Sequence, residues 1–389
     1  MRIPRLWHSS ARSFRYAHID ALRAFAVMLV VVSHAGLEQR VPGGAGVTVF
    51  LAISGFIITY LVLRERDATG AFSVGRFYLR RMLKLGPPLV VIVIVPTLIY
   101  WWLDGAIDGG AFASQVFFSY NWVSAFPHGT PAVLPGSGVL WSLSVEEQFY
   151  IAFALFWALA VRSRHYRALV ATFGLFVIIG SVASRILISG TPGSSIRINY
   201  GTDTRMESIG WGMLTALMYH TCCTRSHWAP RLRSLLAHPL LPGLSLGIFA
   251  ISLVVRETWF RDTARYTFQS LATCAVIAFG LLGSGRAHQR LQLIVRWAPI
   301  WRIGLASYSI YLSHQCLYFS AQAIFHTTIK PMFAPAYIAL GVLGGLVVYC
   351  LIEVPFENVR AALHRSDAEL PSSGINRMHL DERSREGTT

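Results

Sequence analysis

The chain has 389 residues, of which 54% are hydrophobic and 14% charged, with a mean hydropathy of +0.49. Average soluble domains carry roughly 25% charged residues, so this deficit excludes an ordinary soluble enzyme and points to lipid as the solvent. The net charge of +15 would suggest nucleic acid in a soluble protein, but no basic stripe stands outside the apolar segments and no nucleic-acid partner is expected.

A helix needs about 20 apolar residues to cross a bilayer. Such segments occur at 19–37, 46–63, 86–103, 139–161, 168–188, 205–220, 239–255, 267–284, 303–325 and 332–353. The expected fold is therefore an all-α integral membrane protein, a bundle of about ten transmembrane helices. With the N-terminus inside, the inner segments hold 25 Lys and Arg and the outer loops hold six, a bias that selects N-in and C-in. The expected organisation is a cytoplasmic basic N-terminus (1–18), a transmembrane domain (19–355) and a cytoplasmic, disordered tail (356–389). Ser33-His34-Ala35 after the apolar run Ala24–Val32 resembles a signal-peptide end, but Asp20 and Arg23 interrupt the start of that run. The outer loop 104–138 has no Lys or Arg and reads either as a lid or as a connector. The five cysteines show no CxxC and no metal-ligand spacing, so no metal is expected.

Ionisable side chains within a bilayer are costly and are functional candidates by default. The first segment carries Asp20, Arg23 and His34. Asp20 and Arg23 are three apart and share a face, while Arg23 and His34 are eleven apart, about three turns or roughly 16 Å on that same face. Just inside the inner surface lies Phe77-Tyr78-Leu79-Arg80-Arg81-Met82-Leu83-Lys84-Leu85-Gly86-Pro87, with Arg76 before it. It reads either as an interfacial basic helix or as an anion site, since Arg offers fork-shaped donors suited to phosphate. The fourth segment opens on Trp141-Ser142-Leu143-Ser144-Val145-Glu146-Glu147-Gln148. Counted from its outer end, Glu146 falls at a depth similar to that of His34. Glu146 or Glu147 is thus a candidate to orient His34 as a base, the usual way of activating a hydroxyl. Asp203, Arg205 and the mid-membrane His314 are candidate lining residues.

These elements, in this order, resemble the acyltransferase-3 family of integral membrane O-acyltransferases. The likeness runs from about residue 16 to 360. It rests on Asp20-x-x-Arg23 with His34, Gly46–Phe50 through Ser54-Gly55-Phe56, the Phe77–Pro87 motif and Trp141–Tyr150. Asp203-Thr204-Arg205, Ser307-Tyr308 through His314 and Glu353-x-Pro355 complete it. Lys84 stands where the family usually has Arg, and Glu207 where it often has Asp.

The resemblance implies an acyl-CoA donor, commonly acetyl-CoA, taken from the cytoplasm, and a sugar hydroxyl as acceptor. It also implies His34 as the catalytic residue and Arg23, Arg80 and Arg81 as essential basic residues. The expected site then has catalytic His34, Glu146, Glu147, Asp20 and Arg23, donor-binding Arg76, Arg80, Arg81 and Lys84, and substrate-binding Asp203, Arg205 and His314. Transfer proceeds either directly or through an acyl-His intermediate. Residues 356–389 leave no room for the hydrolase-like extracytoplasmic domain of longer members, so a separate extracytoplasmic partner is an open alternative beside membrane lipid and glycan. A multi-pass transporter or flippase is the rival reading, although the matched broken helices of transporters are not found.

Overall fold

The computed structural model describes residues 16–103, 105–126, 132–224, 229–326, 328–357 and 359. The basic segment before Tyr16 and the tail beyond Val359, with its expected disorder, lie outside the described residues. Among the described residues the regular elements are all helical. The longer ones are α1 (Ala17–Leu37), α2 (Gly44–Thr69), α3 (Val74–Trp102), α4 (Ser137–Ala160) and α5 (Tyr166–Ile188). They continue with α6 (Glu207–Thr224), α7 (Leu241–Val254), α8 (Ala264–Leu282), α9 (Ser307–Phe325) and α10 (Pro331–Glu357).

Seven of these, α1 to α5, α8 and α10, are long and apolar enough to cross a membrane. The other three segments of the expected ten differ for physical reasons. Helix α7 has 14 residues, about 21 Å of rise, short of a 30 Å hydrocarbon core. Helices α6 and α9 lose apolarity to buried polar side chains, among them Glu207, Thr215 and His220 on α6 and Ser309, Ser313 and His314 on α9. Large apolar side chains face outward while charges are buried: Leu159 on α4 and Leu187 on α5 are 86% and 80% exposed, whereas Arg185, Arg205 and Glu207 are at most 2% exposed. That inversion fits lipid as the solvent, and the protein is a multi-pass membrane protein.

Local sequence explains the element ends. Ser73 caps α3 by accepting from the Arg76 backbone N–H. Pro87 and Pro88 sit inside α3, where each removes an N–H from the ladder, and the π turn Val90–Ile94 follows at once. Gly70 ends α2 in the left-handed region, φ 67°, its N–H bonded to the Arg66 carbonyl.

Two small residues set the central crossing. A Cβ on Gly55 of α2 would strike the carbonyl oxygen of Ile209, and one on Gly212 of α6 would strike that of Ala52. Close backbone approach through small residues is how helices pack where lipid removes the hydrophobic drive. A buried apolar cluster holding Val62, Leu63, Phe149, Phe153, Trp157 and Met213 joins α2, α4 and α6.

The described part of the loop 104–138 is folded rather than a bare connector. Asp108 caps the helix Gly109–Val116 through the N–H groups of Gly110 and Ala111. The helix Tyr120–Ala125 is tied to α4, with Gln148 Nε2 donating to the Phe118 carbonyl and to Asn121 Oδ1, both at 2.8 Å. Trp122 Nε1 and Thr202 Oγ1 both donate to Gln148 Oε1.

Candidate active site

His34 stands where α1 leaves regular geometry. Residues Ser33–Leu37 form a π turn, with Ala35 at φ −78°, ψ 19° and Gly36 at φ 91°. A Cβ on Gly36 would lie 3.1 Å from Ile329 Cγ2 and 3.2 Å from the Lys330 carbonyl carbon, so glycine is required both for its φ and for space. Single π turns recur at functional positions in helices.

The turn aims His34 at α9. His34 Nδ1 lies 2.9 Å from His314 Nε2, with the two ring planes within 4° of parallel. His314 Nδ1 in turn lies 2.7 Å from the Tyr311 carbonyl oxygen and 3.2 Å from that of Ile310. A carbonyl only accepts, so His314 Nδ1 carries the hydrogen and its Nε2 is the acceptor of a neutral ring. The network therefore assigns a hydrogen to His34 Nδ1 and a lone pair to His34 Nε2. His34 also lines a cleft of about 250 Å³, together with Glu38, Gln315, Tyr318 and Phe319.

The expected role of Glu146 and Glu147 as partners of His34 is corrected by this geometry. Arg81 Nη2 lies 3.2 Å from Glu146 Oε1 and Arg81 Nε donates to Glu147 Oε1 at 2.5 Å. Ser54 donates to Glu146 Oε1, as does Tyr150 at 2.5 Å, and the Arg81 guanidinium stacks over the Tyr150 ring at 3.4 Å. The carboxylates face Arg81 on α3, and His34 takes its hydrogen-bond partner from α9 instead. The same cluster engages Arg81 with two carboxylates, which leaves it poorly placed as a phosphate ligand.

The other basic residues differ in availability. Arg80 Nη2 pairs with Glu65 Oε2 at 3.1 Å at a half-buried position, and Arg76 is exposed. Arg23 Nε donates to Ser307 Oγ at 3.2 Å, so a hydroxyl on α9 helps to orient it. Asp20 sets its backbone carbonyl against Gly304. Glu353, 3% exposed, accepts from Ser309 Oγ at 2.7 Å and lies within electrostatic reach of Lys84 and Arg23. The structure thus gathers Arg23, Lys84 and Glu353 from three helices.

Asp203 and Arg205 separate. Asp203 forms an ion pair with Arg197 at 2.8 Å, and Arg197 stacks over Trp122 and Phe126. Arg205 is 2% exposed, with its guanidinium over Tyr266 at 4.3 Å and Trp141 at 5.6 Å. Its Nη2 reaches the Gly44 carbonyl at 3.3 Å and Thr48 Oγ1 at 3.4 Å, while Nε and Nη1 have no hydrogen-bond partner among the described residues. It is a buried cation with donors to spare.

Sequence reasoning missed several participants. The fully buried Arg185–Glu207 pair, with Arg185 also donating to the Thr204 and Thr263 carbonyls, ties α5 to α6. Two charges near the ends of successive apolar segments were its only signal. The Tyr311 carbonyl has no sequence signal, because every residue carries one. Glu38, four residues after His34, was not singled out from the sequence, and the structure places it on the same cleft as His34.

A membrane-embedded helical bundle with a histidine dyad beside a cleft, and cationic groups on neighbouring helices, defines a multi-pass membrane protein of enzyme type. The sequence profile of an acyltransferase domain matches residues 16–352, and the chain belongs to the acyltransferase-3 family. It is similar to O-acetyltransferase OatA of Staphylococcus aureus (strain NCTC 8325 / PS 47), at 28% identity over 315 residues covering 76% of this chain and 49% of that one. It is also similar to YrhL of Bacillus subtilis (strain 168), by name a candidate peptidoglycan O-acetyltransferase, at 28% identity over 79% of this chain and 49% of the relative. A third, by name a candidate O-acetyltransferase of Staphylococcus aureus (strain MRSA252), shares 26% identity over 90% of this chain and 58% of its own length. The chain spans about half the length of the curated relatives it matches. No solved structure matches the chain.

Proposed function

We propose that this chain is a membrane O-acyltransferase. It moves an acetyl group from cytoplasmic acetyl-CoA to a sugar hydroxyl of a surface polysaccharide or lipid-linked glycan, in the cytoplasmic membrane of a bacterium. The orientation that goes with this reading has ten crossings, with the basic start of α3 on the cytoplasmic side. The observation that carries it is the chain from the Tyr311 carbonyl through His314 to His34, which leaves a base at His34 Nε2. The names of the relatives support acetyl as the acyl group and an envelope glycan as the acceptor.

His34 Nε2 takes the hydroxyl proton as the acceptor oxygen attacks the thioester carbon. The carbon–sulfur bond breaks, and the leaving thiolate takes the proton back from the imidazolium. The products are the O-acetyl ester and free CoA thiol. Positive charge on His34 is stabilised through Nδ1–H by His314, which is held in turn by the Tyr311 carbonyl. Arg76, Arg80 and Lys84 serve the donor phosphates, and Arg23 lies between them and the base. From Arg23 to His34 is roughly 16 Å along α1, a length suited to an extended pantetheine arm. Arg205, whose Nε and Nη1 have no partner among the described residues, holds positive charge inside the bundle.

Membrane vesicles carrying the protein, given radiolabelled acetyl-CoA, test this reading. Label should enter alkali-labile esters of the envelope glycan, and His34→Gln should abolish that incorporation while the protein level is unchanged. Incorporation that survives His34→Gln would defeat the mechanism.

A further inference from the structure

We infer that the cleft beside His34 is the acceptor site, and that Glu38 and Gln315 make it select neutral polyhydroxylated sugars over sugars bearing carboxylate or phosphate. This rests on the acyltransferase reading above and specifies its substrate class. The cleft holds about 250 Å³, below the roughly 300–1,000 Å³ of drug-sized ligand pockets. One sugar ring fits there and a CoA nucleotide does not. Its lining is two-faced: Tyr318 and Phe319 offer aromatic surface, and Glu38 and Gln315 offer polar groups. A pyranose is two-faced in the same way, with C–H groups on its faces and hydroxyls around its edge.

Glu38 is exposed and follows directly on the π turn that places His34. Neither Glu38 nor Gln315 has a hydrogen-bond partner among the described residues, and both line the cleft, so their polar groups are available to its contents. An ionised carboxylate only accepts, and a sugar hydroxyl supplies the donor. Glu38 is the one carboxylate among the residues lining the cleft. A uronic acid or phosphorylated sugar would set a second negative charge against it, and like charges at contact distance repel even at an exposed position. The same hydroxyl-to-carboxylate bonds would hold a neighbouring hydroxyl of the ring at His34 Nε2.

The test uses the purified full chain in proteoliposomes with labelled acetyl-CoA. Paired acceptors are supplied, neutral oligosaccharides and uronic-acid oligosaccharides of equal length. Release of CoA thiol reports donor use, and ester formation reports acceptor use. The wild type should favour neutral acceptors at least tenfold in kcat/KM. Glu38→Gln should raise the KM for neutral acceptors about tenfold, the loss expected for one charge-assisted bond. Glu38→Lys should shift preference toward uronic acids, and Gln315→Ala should raise the neutral-acceptor KM without changing the charge preference. The KM for acetyl-CoA should stay within twofold in all three. Normal donor use with unchanged acceptor KM and preference in Glu38→Gln and Glu38→Lys would overturn this inference alone. No CoA release with any acceptor would overturn the acyltransferase reading and this inference with it.

Discussion

Replacing His314 by Phe tests the dyad most directly, because it keeps a ring on α9 and removes both nitrogens. In the native protein His314 Nε2 accepts the Nδ1–H of His34, and His314 Nδ1–H satisfies the Tyr311 carbonyl. The variant leaves the His34 N–H and that carbonyl without these partners. An unsatisfied buried group costs about 1–3 kcal/mol, and each 1.36 kcal/mol of barrier is tenfold in rate. The expected loss in kcat is therefore about five- to 150-fold, with the KM for acetyl-CoA little changed because the cations proposed for the donor phosphates lie some three turns away. His34→Gln removes the base itself and should cost about 10²–10⁴-fold. The double variant should be no slower than His34→Gln alone, since His314 acts only through His34. His314→Gln, whose side-chain carbonyl can still accept, should recover part of the loss. The assay is initial-rate acetyl transfer in proteoliposomes at matched protein level. Full activity in His314→Phe, or a double variant slower than His34→Gln by the whole His314 factor, would refute the relay.

Arg81→Met should strand Glu146 and Glu147 and cost about 3–5 kcal/mol of stability, read as a lower melting midpoint in detergent. A normal midpoint with only a raised donor KM would instead return Arg81 to the phosphates. Arg80→Ala removes charge-assisted bonds worth about 1.5–3 kcal/mol and should raise the acetyl-CoA KM tenfold or more at normal protein level; an unchanged KM would make Arg80 an interfacial anchor. Reporter fusions at Arg164 and Arg231 should read cytoplasmic and one at Gly109 external, and a cytoplasmic reading at Gly109 would break the proposed orientation.

Composition and periodicity alone determined the solvent, the all-helical class and the polar residues that had to be explained inside a bilayer. They also put Arg23 and His34 on one segment, while the π turn at Ser33–Leu37 that sets the direction of His34 had no signal in the spacing. The order of short motifs sufficed to place the chain in its family. Tertiary packing decided the partners. His34 and His314 lie 280 residues apart, and nothing in either segment states that α1 and α9 adjoin. Glu146 and Glu147 illustrate the same gap from the other side: their position along α4 is written in the sequence, but the helix that faces them depends on rotation about its axis. That rotation is set by how neighbouring backbones interlock, as where Gly212 admits Ala52, and by which charges can be paired away from lipid. A buried charge must find a partner, so sequence reveals that one exists, while only the assembled bundle shows that for Glu147 it is Arg81.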